Sequence, residues 1–287
     1  MTEQTAPAHP ESGPPPITRE IDLSPVQRTT VRKSVMGAMA GNAIEWFDYG
    51  IYGYLAVHLS TQIFGGSEDA ILWTLFGFAV SFLVRPLGGA ILGPLGDRIG
   101  RQKVLVFTIM MISVATAAIG LLPTFEQVGW LAPVLLFLLR IVQGFSAGGE
   151  YAGAAVYMAE HAPDDRRGFW GSFLEFGTLL GFSLAAILVT ALEAIVGSDG
   201  MEAGWWRLPF LLTLPLGLIA LAMRARLHES AVFEEAKEQD TRTSAWQTLR
   251  DLVTQQPKQL LKIMGITILI NTAFYLVLTY MPTFLQT

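Results

Sequence analysis

The chain has 287 residues, 52% of them hydrophobic and 15% charged, with a formal net charge of −5 and a mean hydropathy of +0.44. That balance excludes an ordinary soluble domain and points to a membrane protein. Zero cysteines exclude disulfides and thiolate metal sites, and no basic, aromatic-laced stretch offers itself to nucleic acid.

Residues 1–27 are rich in Pro, Thr, Glu and Ser and lack an apolar run, so the segment up to residue 30 reads as a disordered tail. It has no basic start followed by an apolar core and is not a signal peptide. Seven apolar blocks follow, near 33–58, 70–95, 103–122, 130–160, 169–195, 207–224 and 259–285. Each is long enough to cross a hydrocarbon core about 30 Å thick as a helix. The expected fold is an all-α membrane protein with a six-helix bundle over 31–224. A charged linker over 225–257 carries short amphipathic helices at Val232–Lys237 and Trp246–Val253, and a seventh helix occupies 258–287. Six spans, a linker and one further span form an unbalanced set, as expected of a fragment of a larger protein.

Basic residues fix the expected orientation, because Lys and Arg collect in cytoplasmic loops. Arg28, Arg32 and Lys33 precede the first span, Arg98, Arg101 and Lys103 join spans two and three, and Arg166 and Arg167 join spans four and five. The opposite loops near 59–69, 123–129 and 196–206 contain no Lys or Arg. The N-terminus is therefore expected in the cytoplasm, with Trp73, Trp130, Trp205 and Trp206 in an aromatic belt at the outer ends of their spans.

Span one carries Asn42, Glu45, Asp48, Tyr49 and Tyr52 within an arc of roughly 120° on an otherwise apolar helix, a polar stripe suited to lining a cavity. Trp46 lies beside it and offers an aromatic face that can hold a quaternary ammonium. Arg85 of span two is a further candidate for the site; near the cytoplasmic end of its span, its alternative is to snorkel to the interface. In the loop Gly93–Lys103, Gly93, Gly96 and Gly100 permit close helix approach and a tight reversal. Asp97 can accept hydrogen bonds there, while Arg98, Arg101 and Lys103 hold the loop on the cytoplasmic side. Span four places Gln143 and Glu150 seven residues apart on one helix face, with Arg140 near it. Charges inside a bilayer are functional by default, and a carboxylate buried beside an arginine is a tunable proton-exchange group. A structural ion pair is the competing reading. The histidines His9, His58, His161 and His228 fall outside mid-membrane positions, which leaves proton handling to carboxylates.

The Gly93–Lys103 loop resembles the G-x-L-x-D-R-x-G-R-[RK] signature of the major facilitator superfamily. Arg140-Ile-Val-Gln-Gly144 resembles that superfamily's R-x-x-x-G motif, associated with proton coupling. Gly41–Asp48, Arg85–Gly89 and Gln143–Tyr151 are similar to its metabolite:proton symporter branch, over a stretch running from about Val35 to Leu285. Within the branch the similarity is greatest to carriers of zwitterionic osmolytes such as proline or glycine betaine.

The resemblance implies an inner-membrane symporter built from inverted three-helix repeats, working by alternating access with no enzymatic activity and no cofactor. Its partners would be protons, a small substrate and the lipid bilayer. Glu45, Asp48, Arg140 and Glu150 are the proton-coupling candidates. Asn42, Trp46, Tyr49, Gln143 and Glu175 are the substrate-contact candidates, and Gly93, Gly96, Asp97, Arg98, Gly100, Arg101 and Lys103 form the gating motif. Glu175 keeps an acid where osmolyte carriers have Asp. Arg140 stands where they carry Lys and carboxylate carriers have Arg, so a carrier of 2-oxoglutarate, citrate or shikimate type is the alternative. A non-transporting sensor or partner-binding protein is the second alternative.

Overall fold

Ser24 starts the first long helix. Its hydroxyl accepts a hydrogen bond from the Gln27 backbone N–H (3.3 Å) while the Gln27 side chain accepts from the Ser24 N–H (2.9 Å), and Pro25 follows at the first helical position. This computed structural model describes residues 19–225, 250 and 253–275. Helix α1 spans Pro25–Tyr54, so residues 25–30, expected in the tail, are helical. It is followed by α2 (Ala56–Phe64), α3 (Ala70–Ile99), α4 (Arg101–Gly120), the single turn α5 (Phe125–Val128), α6 (Leu131–His161), α7 (Arg167–Gly200) and α8 (Arg207–Ala225). These belong to one compact unit, Met1–Glu234. The second unit, Glu235–Thr287, contributes α9 (Pro257–Tyr275) to the description. The expected linker helices and the last residues of the seventh span lie outside the described residues.

Five of the helices, α3, α4, α6, α7 and α8, are long and apolar enough to cross a membrane by length and composition. Helix α1 is just as long, but Asn42, Glu45 and Asp48 pull its hydropathy below that standard. Neither it nor α9 is among the five. Large apolar side chains such as Leu72, Leu83, Ile187 and Ile195 stand on the outer surface, where lipid rather than water suits them. Trp73, Trp130 and Trp205 are also exposed. Trp206 is instead fully buried against Phe210, with the Arg207 guanidinium 4.5 Å from its ring centroid.

Helix α1 packs along α7, α3 along α6, and α4 along α8. Exchanging α1 with α6, α3 with α7 and α4 with α8 maps the first contact onto the second and the third onto itself, the relation expected of two inverted three-helix repeats. Small residues set these crossings. A Cβ on Gly144 would fall on the Ser81 backbone across the α3–α6 contact, and one on Gly181 would fall on Ala43 across α1–α7. Gly144→Ala is therefore expected to destabilise the bundle by on the order of 1–3 kcal/mol, the usual effect of overpacking. A lowered thermal midpoint in detergent checks this, and an unchanged midpoint would mean the two helices are not in such contact.

Two apolar layers fill the bundle, one around Ile51, Leu55, Leu59, Leu136 and Phe210, the other around Val35, Ala38, Leu105, Ala154 and Tyr157. Along both α1 and α6 the stretch between these layers carries buried charge: Glu45 and Asp48 on one, Arg140 and Glu150 on the other.

Candidate functional site

The charged layer resolves into three centres. At the first, Asp48 Oδ1 accepts hydrogen bonds from Thr116 Oγ1 of α4 and from Gln143 Nε2 of α6, each at 2.8 Å. Asp48 Oδ2 faces Arg140 Nη1 at 3.2 Å. Arg140 Nη1 also donates to Gln143 Oε1 (2.7 Å), and its guanidinium lies 3.4 Å above the Tyr52 ring. All these polar groups are shut off from the surface. Arg140 Nε and Nη2 have no hydrogen-bond partner among the described residues.

The second centre opens toward the surface. Arg85 of α3, 20% exposed, pairs with the buried Glu45 of α1 at 2.7 Å. Its guanidinium sits over three aromatic rings, 4.6 Å from Phe82, 4.7 Å from Tyr49 and 5.6 Å from Trp46. Phe182 of α7 lies beside Trp46, with ring centroids 5.4 Å apart. Such faces attract a cation through the ring quadrupole, by about 2 kcal/mol when desolvated. Tyr49 joins the two centres, because its ring is also 5.7 Å from Arg140.

At the third centre Glu150 of α6 takes a 2.6 Å hydrogen bond from Thr108 of α4 and a 2.7 Å ion pair from Arg224 at the end of α8. Glu150 and Arg224 are both completely buried.

Several sequence expectations need correction. The polar stripe of α1 does not line one cavity, because its residues turn to different neighbours. Asn42 is buried and donates to Leu174 O (2.7 Å) and Thr178 Oγ1 (2.8 Å), which staples α1 to α7. Gln143 and Tyr49 are also buried, Gln143 spent on Asp48, Thr116 and Arg140. Arg140 partners Asp48, not Glu150. Arg85 turns inward to Glu45 instead of reaching for the interface. Glu175 of α7 lies on an exposed face, where Tyr151 Oη donates to it at 2.5 Å.

In the loop motif Gly100 makes the reversal from α3 to α4 with φ 108°, a conformation that favours glycine. Arg101 pairs with Glu160 of α6 at 2.6 Å, while Arg98 and Lys103 are exposed. Gly93 and Gly96 border a groove between α3, α4 and α6, beside Leu92, Val104 and Gly153, rather than a close helix contact. The side chain of Asp97 lies outside the described residues.

Arg224, Thr108 and Thr116 went unread in the sequence. The two threonines stand eight residues apart on nearly the same face of an apolar helix, a signal masked by the habit of threonine to bond its own backbone. Arg224, at the end of the sixth apolar block, reads in the sequence as one more basic residue at a span end. Among the described residues no group of three His, Asp or Glu side chains is placed to hold a metal ion.

Residues 33–276 match the family described as sugar (and other) transporter. The chain is 43% identical over 274 residues to the glycine betaine/proline/ectoine/pipecolic acid transporter OusA of Dickeya dadantii, covering 92% of this chain and 55% of that one. It is 45% identical over 279 residues to the ectoine/proline transporter ProP of Corynebacterium glutamicum, with the same coverage. Among solved structures it superposes on the major facilitator superfamily proton:xylose symporter XylE of E. coli with a TM-score of 0.67 at 19% identity, over 74% of this chain and 47% of that one. The superposition establishes the fold. The chain spans about half the length of the curated relatives it matches.

Proposed function

Since the chain belongs to the sugar (and other) transporter family, whose members are multi-pass membrane proteins, we propose that residues 31–224 form the N-terminal bundle of a proton-coupled symporter for a small zwitterionic osmolyte such as glycine betaine or proline. Residues 225–257 then link it to a second bundle that opens with the helix at 258–287, and the N-terminus faces the cytoplasm of an inner membrane. The names of the two relatives support the substrate class.

The observation that carries the reading is the Glu45–Arg85 pair set among aromatic rings. One acid and one base make a neutral site. A zwitterion replaces that pair with two new ones, its carboxylate on Arg85 and its ammonium against Glu45 and the ring faces that Arg85 now covers. No charge is left uncompensated. A dicarboxylate brings surplus negative charge to the same site, which desolvation penalises. The Arg-for-Lys difference at 140 does not favour the carboxylate alternative, because Arg140 is buried against Asp48 and does not stand where a substrate carboxylate would enter.

Asp48 is the proton-exchange group in this reading. When it is protonated Arg140 loses its counter-ion, and the guanidinium N–H groups that have no partner among the described residues can take up other acceptors. Tyr49 transmits the change, since it touches both arginines. Substrate and proton thus act on adjoining ion pairs of one bundle.

Proteoliposomes of the full gene product under an inward proton gradient test the reading. Labelled glycine betaine should accumulate, unlabelled proline should compete, and 2-oxoglutarate should not. Equal competition by 2-oxoglutarate would sink the substrate assignment, and no accumulation would sink the symporter.

A further inference from the structure

The Asp48 and Glu150 centres look alike in the sequence, yet their arginines are used differently. Among the described residues Arg140 Nε and Nη2 have no hydrogen-bond partner. Arg224 is engaged on all three nitrogens: Nε donates to Gly37 O (3.1 Å), Nη1 to Leu105 O (2.9 Å) and Nη2 to Ala38 O (3.2 Å), and Nη2 also forms the ion pair with Glu150 Oε1 (2.7 Å). One guanidinium therefore ties α8 to the backbones of α1 and α4 and to the side chain of α6. Space for it is provided by Gly41, where any Cβ would fall on the guanidinium itself. The glycine that opens the polar stripe of α1 is thus accounted for by a residue on α8. Gln102, inside the Gly93–Lys103 loop, donates to the carbonyls of Arg224 (3.1 Å) and Ala225 (3.3 Å), closing the end of α8.

We infer that Arg224 is a positioning residue for Glu150, and that the pair forms a latch holding the ends of α1, α4, α6 and α8 together on the side of the bundle that carries the α3–α4 loop. The inference rests on the transporter reading, in which one bundle must rock as a body against the other and so must stay joined at its ends. Glu150 is then a lock, held in place, while Asp48 exchanges protons beside an arginine with unused donors. Gln102 connects the lock to the loop motif. Gly41 makes the lock possible, and Thr108 orients the carboxylate.

The chain contains no cysteine, so a reporter thiol can be placed at will. Ser146→Cys puts one on α6 a turn before Glu150, at a fully buried position whose hydroxyl donates to Thr108 O at 2.7 Å. Labelling of this thiol by N-ethylmaleimide is measured in native membranes on the full gene product, with any cysteine beyond residue 287 replaced. Arg224→Gln, Glu150→Gln and Gly41→Ala each leave a buried charge without its partner or push it out, and should speed labelling on the order of 10-fold. Arg224→Lys should fall between them and the parent, since it keeps charge but not the fork of donors. The double variant Arg224→Gln/Glu150→Gln removes both charges and should return labelling to within about 3-fold of the parent, the mark of a coupled pair.

Parent-like labelling in the single variants overturns the latch, as does a double variant that labels as fast as the singles. If Arg224→Gln fails to reach the membrane, Gly41→Ala and the double variant carry the same contrast. Labelling needs no transport. Absence of glycine betaine uptake by the parent therefore overturns the transporter reading without touching this result, and parent-like labelling overturns the latch without touching uptake.

Discussion

Asp48→Asn is expected to abolish proton-driven accumulation of glycine betaine while exchange of substrate across the membrane continues. The side chain keeps nearly its shape and can still accept from Arg140, Thr116 or Gln143 through Oδ1, but it no longer binds and releases a proton. Losing a tuned acid–base group lowers a coupled step by on the order of 100-fold or more. Exchange of labelled for unlabelled substrate needs no net proton movement, and its rate should stay within a few-fold of the parent. The same change leaves Arg140 facing a neutral partner in a site sealed from solvent. Part of the about 3–5 kcal/mol associated with breaking a buried pair should therefore appear as lower thermal stability. Arg140→Gln together with Asp48→Asn should recover most of that stability and none of the coupling, because it removes both buried charges. Proton-driven accumulation at parental level in Asp48→Asn would take Asp48 out of the mechanism, whatever happened to stability.

The fold was legible because its governing constraint is simple. A chain that must satisfy its backbone inside a hydrocarbon layer has helices as its solution, so apolar blocks and basic loops were enough to draw the bundle. Gly100 shows the same legibility at one residue: a reversal between two long helices needs a positive φ, and glycine supplies it. The partners of the buried charges were a different matter. Arg140 and Glu150 sit ten residues apart on one helix, which invites pairing them, yet each is satisfied by another helix, Arg140 by α1 and Glu150 by α8. Helical periodicity tells which face a residue occupies and is silent about which neighbour that face meets. Asn42 illustrates the cost of that silence: it belongs to the stripe by angle, but α7 lies against it and claims both its donors. Arg224 was hidden for another reason. A basic residue at a span end has a sufficient explanation in topology, so nothing in the sequence asks for a second one.

Glu45→Gln should convert a site for zwitterions into one that prefers anions. In the parent, Glu45 balances Arg85 at 2.7 Å, and a bound betaine must satisfy both. With glutamine at 45 the quaternary ammonium, which has no N–H to donate, loses its Coulomb attraction to the carboxylate, about 1–4 kcal/mol at 4 Å, which raises KM for glycine betaine by roughly 5-fold or more. The rings of Trp46, Tyr49 and Phe82 remain and retain part of the attraction. Arg85 is now without an acid, and the site carries net positive charge. The sharpest probe is 3,3-dimethylbutanoate, in which a neutral tert-butyl group replaces the trimethylammonium of glycine betaine with almost the same shape. Against the parent it should compete poorly, because its neutral end leaves Glu45 unpaired beside it. Against Glu45→Gln it should compete better than glycine betaine itself, since its carboxylate supplies what Arg85 lacks and its other end asks nothing of residue 45. Trp46→Leu serves as the contrast, weakening glycine betaine without reversing the order, because it removes a cation-attracting face and leaves the charge balance alone. Competition curves for the two ligands against labelled glycine betaine give the ratio directly. If the ratio is the same in Glu45→Gln as in the parent, Glu45 does not meet the ammonium pole, and zwitterion selectivity must come from residues outside the Glu45–Arg85 pair.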